Sequence, residues 1–258
     1  NNTCTNMYYM GAYVAYNYNA MEFIGNSFSM NPTYGYYGIY FFSNQNASTT
    51  TRTIFANNTV INHGGYGAYI YYPTTNSATA ARTYVYNNMI TTSTSYNVVY
   101  GMYVVDQSTN GSIVVHNTSI NRYPTATVSY AALGTTGATG VIFKNNICVN
   151  LAGASVPAYF GTNPAAGNVN HNIYWNPAGT ALVFRNGTYW NASNFKTLAN
   201  GGDSSHNINP DLVSGIDLHT SSACIPQGAD FTAICPSDFD GNLRTTPGMI
   251  GADEVVGM

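Results

Sequence analysis

An asparagine pair that returns every 25 to 31 residues limits what this chain can fold into more than any other feature. NNTCTN at Asn1 recurs as NNTVIN at Asn57, and GNSFSM, YNNMIT, HNTSIN, KNNICVN and HNIYW are related segments. Aligning the second polar residue of each gives Asn2, Ser27, Asn58, Asn88, Asn117, Asn146 and Asn172. Steps of this size belong to solenoids, where one small unit stacks on the next because no unit can bury its apolar side alone.

Each copy carries strand signals. TIFANN, TYVYNN, SIVVHN and VIFKNN alternate in polarity and end at Asn or His-Asn. Asn tolerates the left-handed backbone conformation that turns a chain. A second segment repeats in step with the first: MGAYVAY, YGIYFF, YGAYIYY, YGMYVVD, SYAALG and PAYFG. Two short strands or more per copy, with no 3.6-residue pattern, predict an all-β right-handed parallel β-helix. About seven coils stacked at about 4.8 Å would make a shaft of roughly 34 Å. A β-propeller needs blades of about 40 residues or more, each with four strands, and these copies are too short.

Charge supports the same reading. Only 7% of residues are charged, against about a quarter in an average soluble domain. Like side chains in a parallel stack sit above one another, so a column of like charges would repel. Before residue 200 the acids are Glu22 and Asp106, and eight more follow. That shift divides the chain into coils over residues 1–200 and a loop-rich capping region over 201–258. A net charge of −3 with seven scattered Lys and Arg leaves no basic stripe for nucleic acid. No stretch of 18 apolar residues exists to span a membrane. The start, NNTCTNMYYM, lacks the basic and apolar regions of a signal peptide, so the chain reads as a processed piece or a segment of something longer. The open first coil of such a solenoid then calls for cover, from further coils or from another chain.

Alternation assigns faces to the second set of strands. Ala68 and Ile70 point inward, with Ile39, Phe41, Met102, Val104, Ala158 and Phe160 at matching places. Tyr13, Tyr40, Tyr69, Tyr103 and Tyr159 form an outward column interrupted at Ala132, and Phe42 and Tyr71 begin a second. Two readings stand side by side. Stacked tyrosines stabilise a sheet by about 0.2–1 kcal/mol per neighbouring pair, and a flat aromatic track can also receive sugar rings, so glycans are candidate partners. The turn asparagines form a hydrogen-bonded ladder, which His116 and His171 are expected to join from the first position of the pair.

Catalytic chemistry finds little to work with. Hydrolases on such a scaffold need two carboxylates together, and lyases need an acid-held Ca²⁺ with a basic residue. Glu22 and Asp106 fall in different intervals of the repeat. Arg52, Arg82, Arg122, Lys144 and Arg185 read as solvated loop positions, and no catalytic residue is assigned. The rival class is a polysaccharide lyase or hydrolase whose catalytic residues lie outside this segment. No cofactor is expected. DFDGN offers Asp238, Asp240 and Asn242 at alternating positions, either as a tight turn or as a Ca²⁺ site, although Gly comes one place early for an EF-hand loop. Cys4 and Cys148 share a repeat position five coils apart and read as buried small hydrophobes, whereas Cys224 and Cys235 are disulfide candidates in an exported chain.

The coils resemble the right-handed β-helix repeats of pectate-lyase-like proteins. The tail, WNASNFKTLANGGDSSHNINPDLVSGIDLHTSSACIPQGAD followed by DFDGNLRTTPGMIGADE, is similar to the end of β-helix regions in large secreted surface proteins of Bacteroidetes. The resemblance implies export to the bacterial cell surface, often by type IX secretion, and the residues together read as a non-catalytic β-helix module with a structural or adhesive role.

Overall fold

The computed structural model describes residues 1–15, 21–42, 52–71, 82–94, 100–106, 110–123, 131–151, 156–197, 204–221 and 225–254. Three strands make one coil. In the third coil Ile54–Ala56 runs into the Asn57-Asn58 turn, Thr59–His63 follows, and Tyr66–Tyr71 closes the circuit. Repetition of this unit produces three parallel sheets. The first has six strands, from Glu22–Ile24 to Val169–Asn170, and the second has seven, from Thr3–Met7 to Ile173–Trp175. The third has seven parallel strands, from Met10–Ala15 to Ala181–Arg185, and antiparallel Thr188–Asn191 as an eighth at its end. The chain is a parallel β-solenoid.

Registration of like on like builds the core. Phe23, Phe55, Val85, Val114, Phe143 and Val169 stack in the first sheet. Cys4, Phe28, Val60, Ile90, Ser119, Cys148 and Tyr174 stack in the second. Cys4 and Cys148 thus occupy one column, as their shared repeat position predicts, and both are free thiols. The third sheet contributes Ile39, Ala68, Met102, Leu133 and Ala158 beside Phe41, Ile70, Val104 and Phe160, all buried. Each such large side chain contributes about 1.5–3 kcal/mol through burial.

The corner between the first and second sheets carries the asparagine ladder, with one correction. The rung in the second coil is Asn26, not Ser27: Asn2, Asn26, Asn58, Asn88, Asn117, Asn146 and Asn172 donate Nδ2 or backbone N–H to the next rung, and Asn172 N–H ends on Ser205 Oγ. The residue before each rung takes the left-handed conformation, at Gly25, Asn57, Asn87, His116, Asn145 and His171. That geometry turns its side chain away from the ladder. His116 therefore does not become a rung: its Nε2 meets Asn145 Nδ2 at 3.0 Å and its Nδ1 meets Gly251 O at 3.3 Å.

Among the described residues Ser205 and His206 continue the ladder and the second sheet beyond Ile173–Trp175, with His206 bridging Ile173. The described tail then lies along the flank of the shaft. On the second sheet the outward column is Thr3, Ser27 and Thr59 at first, then Met89, Thr118, Ile147 and Ile173. Leu218, Ile225, Ile250 and Ala252 of the tail cluster with its apolar members. Phe231 and Ile234 do the same for Tyr84, Ile113 and Val115 on the first sheet. The turn residues hold this strap: Asn145 exchanges two hydrogen bonds with Ala229, and Asn87 Nδ2 donates to Ser237 O at 2.8 Å. Arg244 locks it, donating to Asn87 Oδ1 at 2.8 Å and to Glu254 Oε1 at 3.2 Å while buried.

Candidate functional site: the aromatic face

The outer side of the third sheet is built from tyrosine. Tyr13, Tyr40, Tyr69 and Tyr103 are in register on adjacent strands, with ring centroids 5.5, 5.2 and 5.9 Å apart. The interruption lies at Gly134 rather than at Ala132, because Gly134 is the residue paired with both Tyr103 and Tyr159. A Cβ at Gly134 would come within 3.1–3.2 Å of the Tyr100 and Tyr103 rings. With no side chain there, Tyr103 and Tyr159 lean together at 6.0 Å across the missing rung, and the column continues from Tyr159 to Phe184 at 5.3 Å. Tyr71 stacks on Phe42 at 5.2 Å and lies 5.5 Å from Tyr69.

A further aromatic column was not anticipated. Tyr37, Tyr66 and Tyr100 open their strands and stack at 5.4 and 5.9 Å. Strict alternation places Tyr37 and Tyr40 on opposite faces, since three residues separate them. The glycine after each opening tyrosine breaks the alternation: Gly38 and Ile39 are both buried, and a Cβ on Gly38, Gly67 or Gly101 would strike the backbone carbonyl of the next coil. The recurring YG dipeptide in YGIYFF, YGAYIYY and YGMYVVD is the signal that could have placed it.

The electrostatics of this face are flat. No charged residue occurs in its strands from Met10–Ala15 to Val156–Phe160. Burial pushes the phenols of Tyr37 and Tyr103 up to about 12 and raises that of Tyr69 as well, with neighbouring tyrosines adding to the shift. These hydroxyls stay protonated near neutral pH and keep both donor and acceptor capacity. Tyr13 remains 58% exposed, and Tyr40, Tyr69, Tyr71, Tyr103 and Tyr159 are half-buried by one another. The apolar cluster of this face contains residues of the third sheet alone, so among the described residues the tail packs on the other two sheets and not on this one. A cleft of about 210 Å³ lies between the second sheet and the tail, lined by Ile120, Val149, Trp175 and Leu212 among others.

The other residues singled out from sequence are dispersed. Asp238 is spent on its own turn, with Oδ1 accepting Asn242 N–H at 2.8 Å and Oδ2 accepting Asn242 Nδ2 at 3.3 Å and Glu254 N–H at 3.4 Å. Asp240 turns instead toward His219, with Oδ1 3.3 Å from Nε2. Cys235 is a free, buried thiol donating to Asn87 Oδ1 at 3.1 Å, and Cys224, its candidate disulfide partner, lies outside the described residues. Glu22 opens its strand, while Asp106 is buried and accepts Ser112 Oγ at 2.6 Å. Arg82 and Arg122 are not solvated loop residues: Arg82 donates to Gly111 O and Gly140 O, and Arg122 to Thr92 O and Asn62 Oδ1, stapling neighbouring coils. Arg52 lies 4.8 Å from the Tyr84 ring centroid. Among the described residues no helix is long and apolar enough to cross a membrane. No family profile, curated protein or solved structure matches the chain.

Proposed function

We propose that this solenoid is a non-catalytic module of an exported bacterial surface protein, and that its aromatic face adheres to glycan chains. One observation carries the reading: among the described residues the tail packs on two of three flanks, and the third is an uncharged bank of stacked tyrosines without such cover. Tyrosine offers a large apolar ring with a polar tip, which suits the apolar faces and hydroxyl rims of sugars. Rings already fixed by their neighbours lose little freedom on binding. A flat track 5–6 Å between rings suits an extended polymer better than a small molecule, which favours concave sites.

The surface location is supported by the resemblance of the coils to pectate-lyase-like repeats and of the tail to the ends of secreted Bacteroidetes β-helices. In the same reading, further coils or a second chain cover the edge formed by Thr3–Met7 and Met10–Ala15, each of which pairs on one side only among the described residues. The test is a screen of soluble glycans, neutral and anionic, by tyrosine fluorescence and thermal shift. Binding by at least one class with a fluorescence change supports the proposal. A screen in which every glycan leaves both signals unchanged removes it.

A further inference from the structure

Apart from the aromatic face, the tail draws one histidine and several aspartates to a single point. They come from three separate turns, around 217–220, 238–242 and 250–254. His219 Nδ1 is hydrogen-bonded to Asp217 Oδ1, and its Nε2 faces Asp240 Oδ1 at 3.3 Å. One ligand atom each from His219, Asp240 and Asp253 lie within 4.8 Å of one another. If Nδ1 carries the proton given to Asp217, Nε2 is a lone pair, and it then faces a carboxylate oxygen, which is also an acceptor. Such an arrangement requires a positive charge between the two.

Two features of the surroundings strengthen that requirement. Asp253 is only 6% exposed, so its carboxylate is held largely out of water beside His219 and Asp240. The buried cation of the tail, Arg244, is already committed to Glu254. Beside the cluster, Thr220 gives its backbone N–H to Asp253, while its own Oγ1 is buried without a hydrogen-bond partner.

We propose that this cluster is a binding site for a divalent transition-metal ion of the Zn²⁺ class, held by His219 Nε2 and the carboxylates of Asp240 and Asp253. Asp217 orients the imidazole from outside, the usual place for a carboxylate behind a metal-bound histidine. An imidazole with two carboxylates suits Zn²⁺, whereas Ca²⁺ prefers an all-oxygen set of six or more ligands. Water completes the coordination, and the ion's role is structural. It ties three turns of the tail together where Gly251 and Ala252 rest against His116 and Thr118 of the shaft.

The competing occupant is a proton on His219, and metal titration separates the two. The full chain, stripped with chelator, is melted alone, with Zn²⁺ and with Ca²⁺. At a free Zn²⁺ concentration a hundredfold above its Kd, the melting temperature should rise by about 5–10 °C, with no rise in Ca²⁺. Asp240 is exposed, so Asp240→Asn should melt within about 2 °C of the metal-free wild type while losing the Zn²⁺ shift. His219→Ala should lose at least tenfold in Zn²⁺ affinity by calorimetry. The site is refuted if Zn²⁺ leaves the wild type unchanged, if the shift persists in Asp240→Asn, or if Ca²⁺ shifts the melt more than Zn²⁺.

Discussion

Replacing Asn117 with alanine removes an interior rung of the ladder. Its side chain is fully buried. Oδ1 accepts Asn88 N–H at 3.1 Å and Asn88 Nδ2 at 2.8 Å, and Nδ2 donates to Val85 O, Val115 O and Asn146 Oδ1 at 3.0 Å each. Alanine deletes all five. The Asn88 backbone N–H has no other hydrogen bond among the described residues and becomes a buried orphan, at a cost of about 1–3 kcal/mol. The other four groups keep alternative partners in part, and losing about 0.5 kcal/mol at each brings the total to about 4 kcal/mol. For a chain of this size that lowers the melting temperature by about 8–16 °C. Asn2→Ala is the control, because Asn2 is exposed at the end of the ladder, and it should cost less than about 1 kcal/mol. Chemical denaturation and thermal melts followed by circular dichroism read both variants. If Asn117→Ala is as mild as Asn2→Ala, the ladder does not hold the coils together.

Three further outcomes follow from buried charge. His63 is buried with its Nε2 unpartnered, and burial pushes its imidazole down to about 3, with Arg122 opposing the proton further. The unfolded chain takes that proton near pH 6.5 and the folded chain does not, so stability falls with pH through this window, by about 2 kcal/mol between pH 7 and pH 5. His116, similarly lowered by burial, adds in the same direction. Urea titrations at the two pH values should show the loss, and His63→Gln should reduce it; an equal loss in the variant contradicts the assignment. Arg244→Met leaves Glu254 buried without its cation and should cost about 3–5 kcal/mol, with limited proteolysis then cutting the 204–254 segment before the shaft. A tail that stays protected would show that the ion pair is not its lock. In ultraviolet difference titration, Tyr37, Tyr69, Tyr86 and Tyr103 should ionise above the ordinary tyrosine range, and stability should fall as pH rises from about 10 toward 12. A single unshifted tyrosine transition would contradict their burial.

The solenoid was legible because its physics repeats. Asn88, Asn117 and Asn146 recur at near-constant spacing with the same strand before them, and period-2 alternation then placed Ile70, Val104 and Phe160 correctly. Legibility failed wherever one coil departs from its neighbours. Asn26 was passed over because Gly25 replaces the first Asn of the pair in GNSFSM, so counting to the second polar residue lands one place late, on Ser27. The Tyr37, Tyr66 and Tyr100 column was missed because a glycine interrupts the alternation. The path of the tail, and with it the meeting of His219, Asp240 and Asp253, has no periodicity to betray it. Its only trace is the change from Thr3, Ser27 and Thr59 to Met89, Ile147 and Ile173 in an outward column, a clue that needs the register to be read first.

Everything proposed about function rests on the tyrosine column touching something besides itself. Affinity electrophoresis in gels carrying the best glycan from the screen, comparing wild type with Tyr40→Ser, Tyr69→Ser and Tyr103→Ser, tests this directly. Asn2→Ala serves as a folded control away from the face. Loss of about 1–3 kcal/mol per central ring predicts a fall in affinity of about fivefold or more for each variant, with the control unchanged. Retardation that is equal in all five proteins would contradict the account and leave the stacked tyrosines a device of the sheet alone.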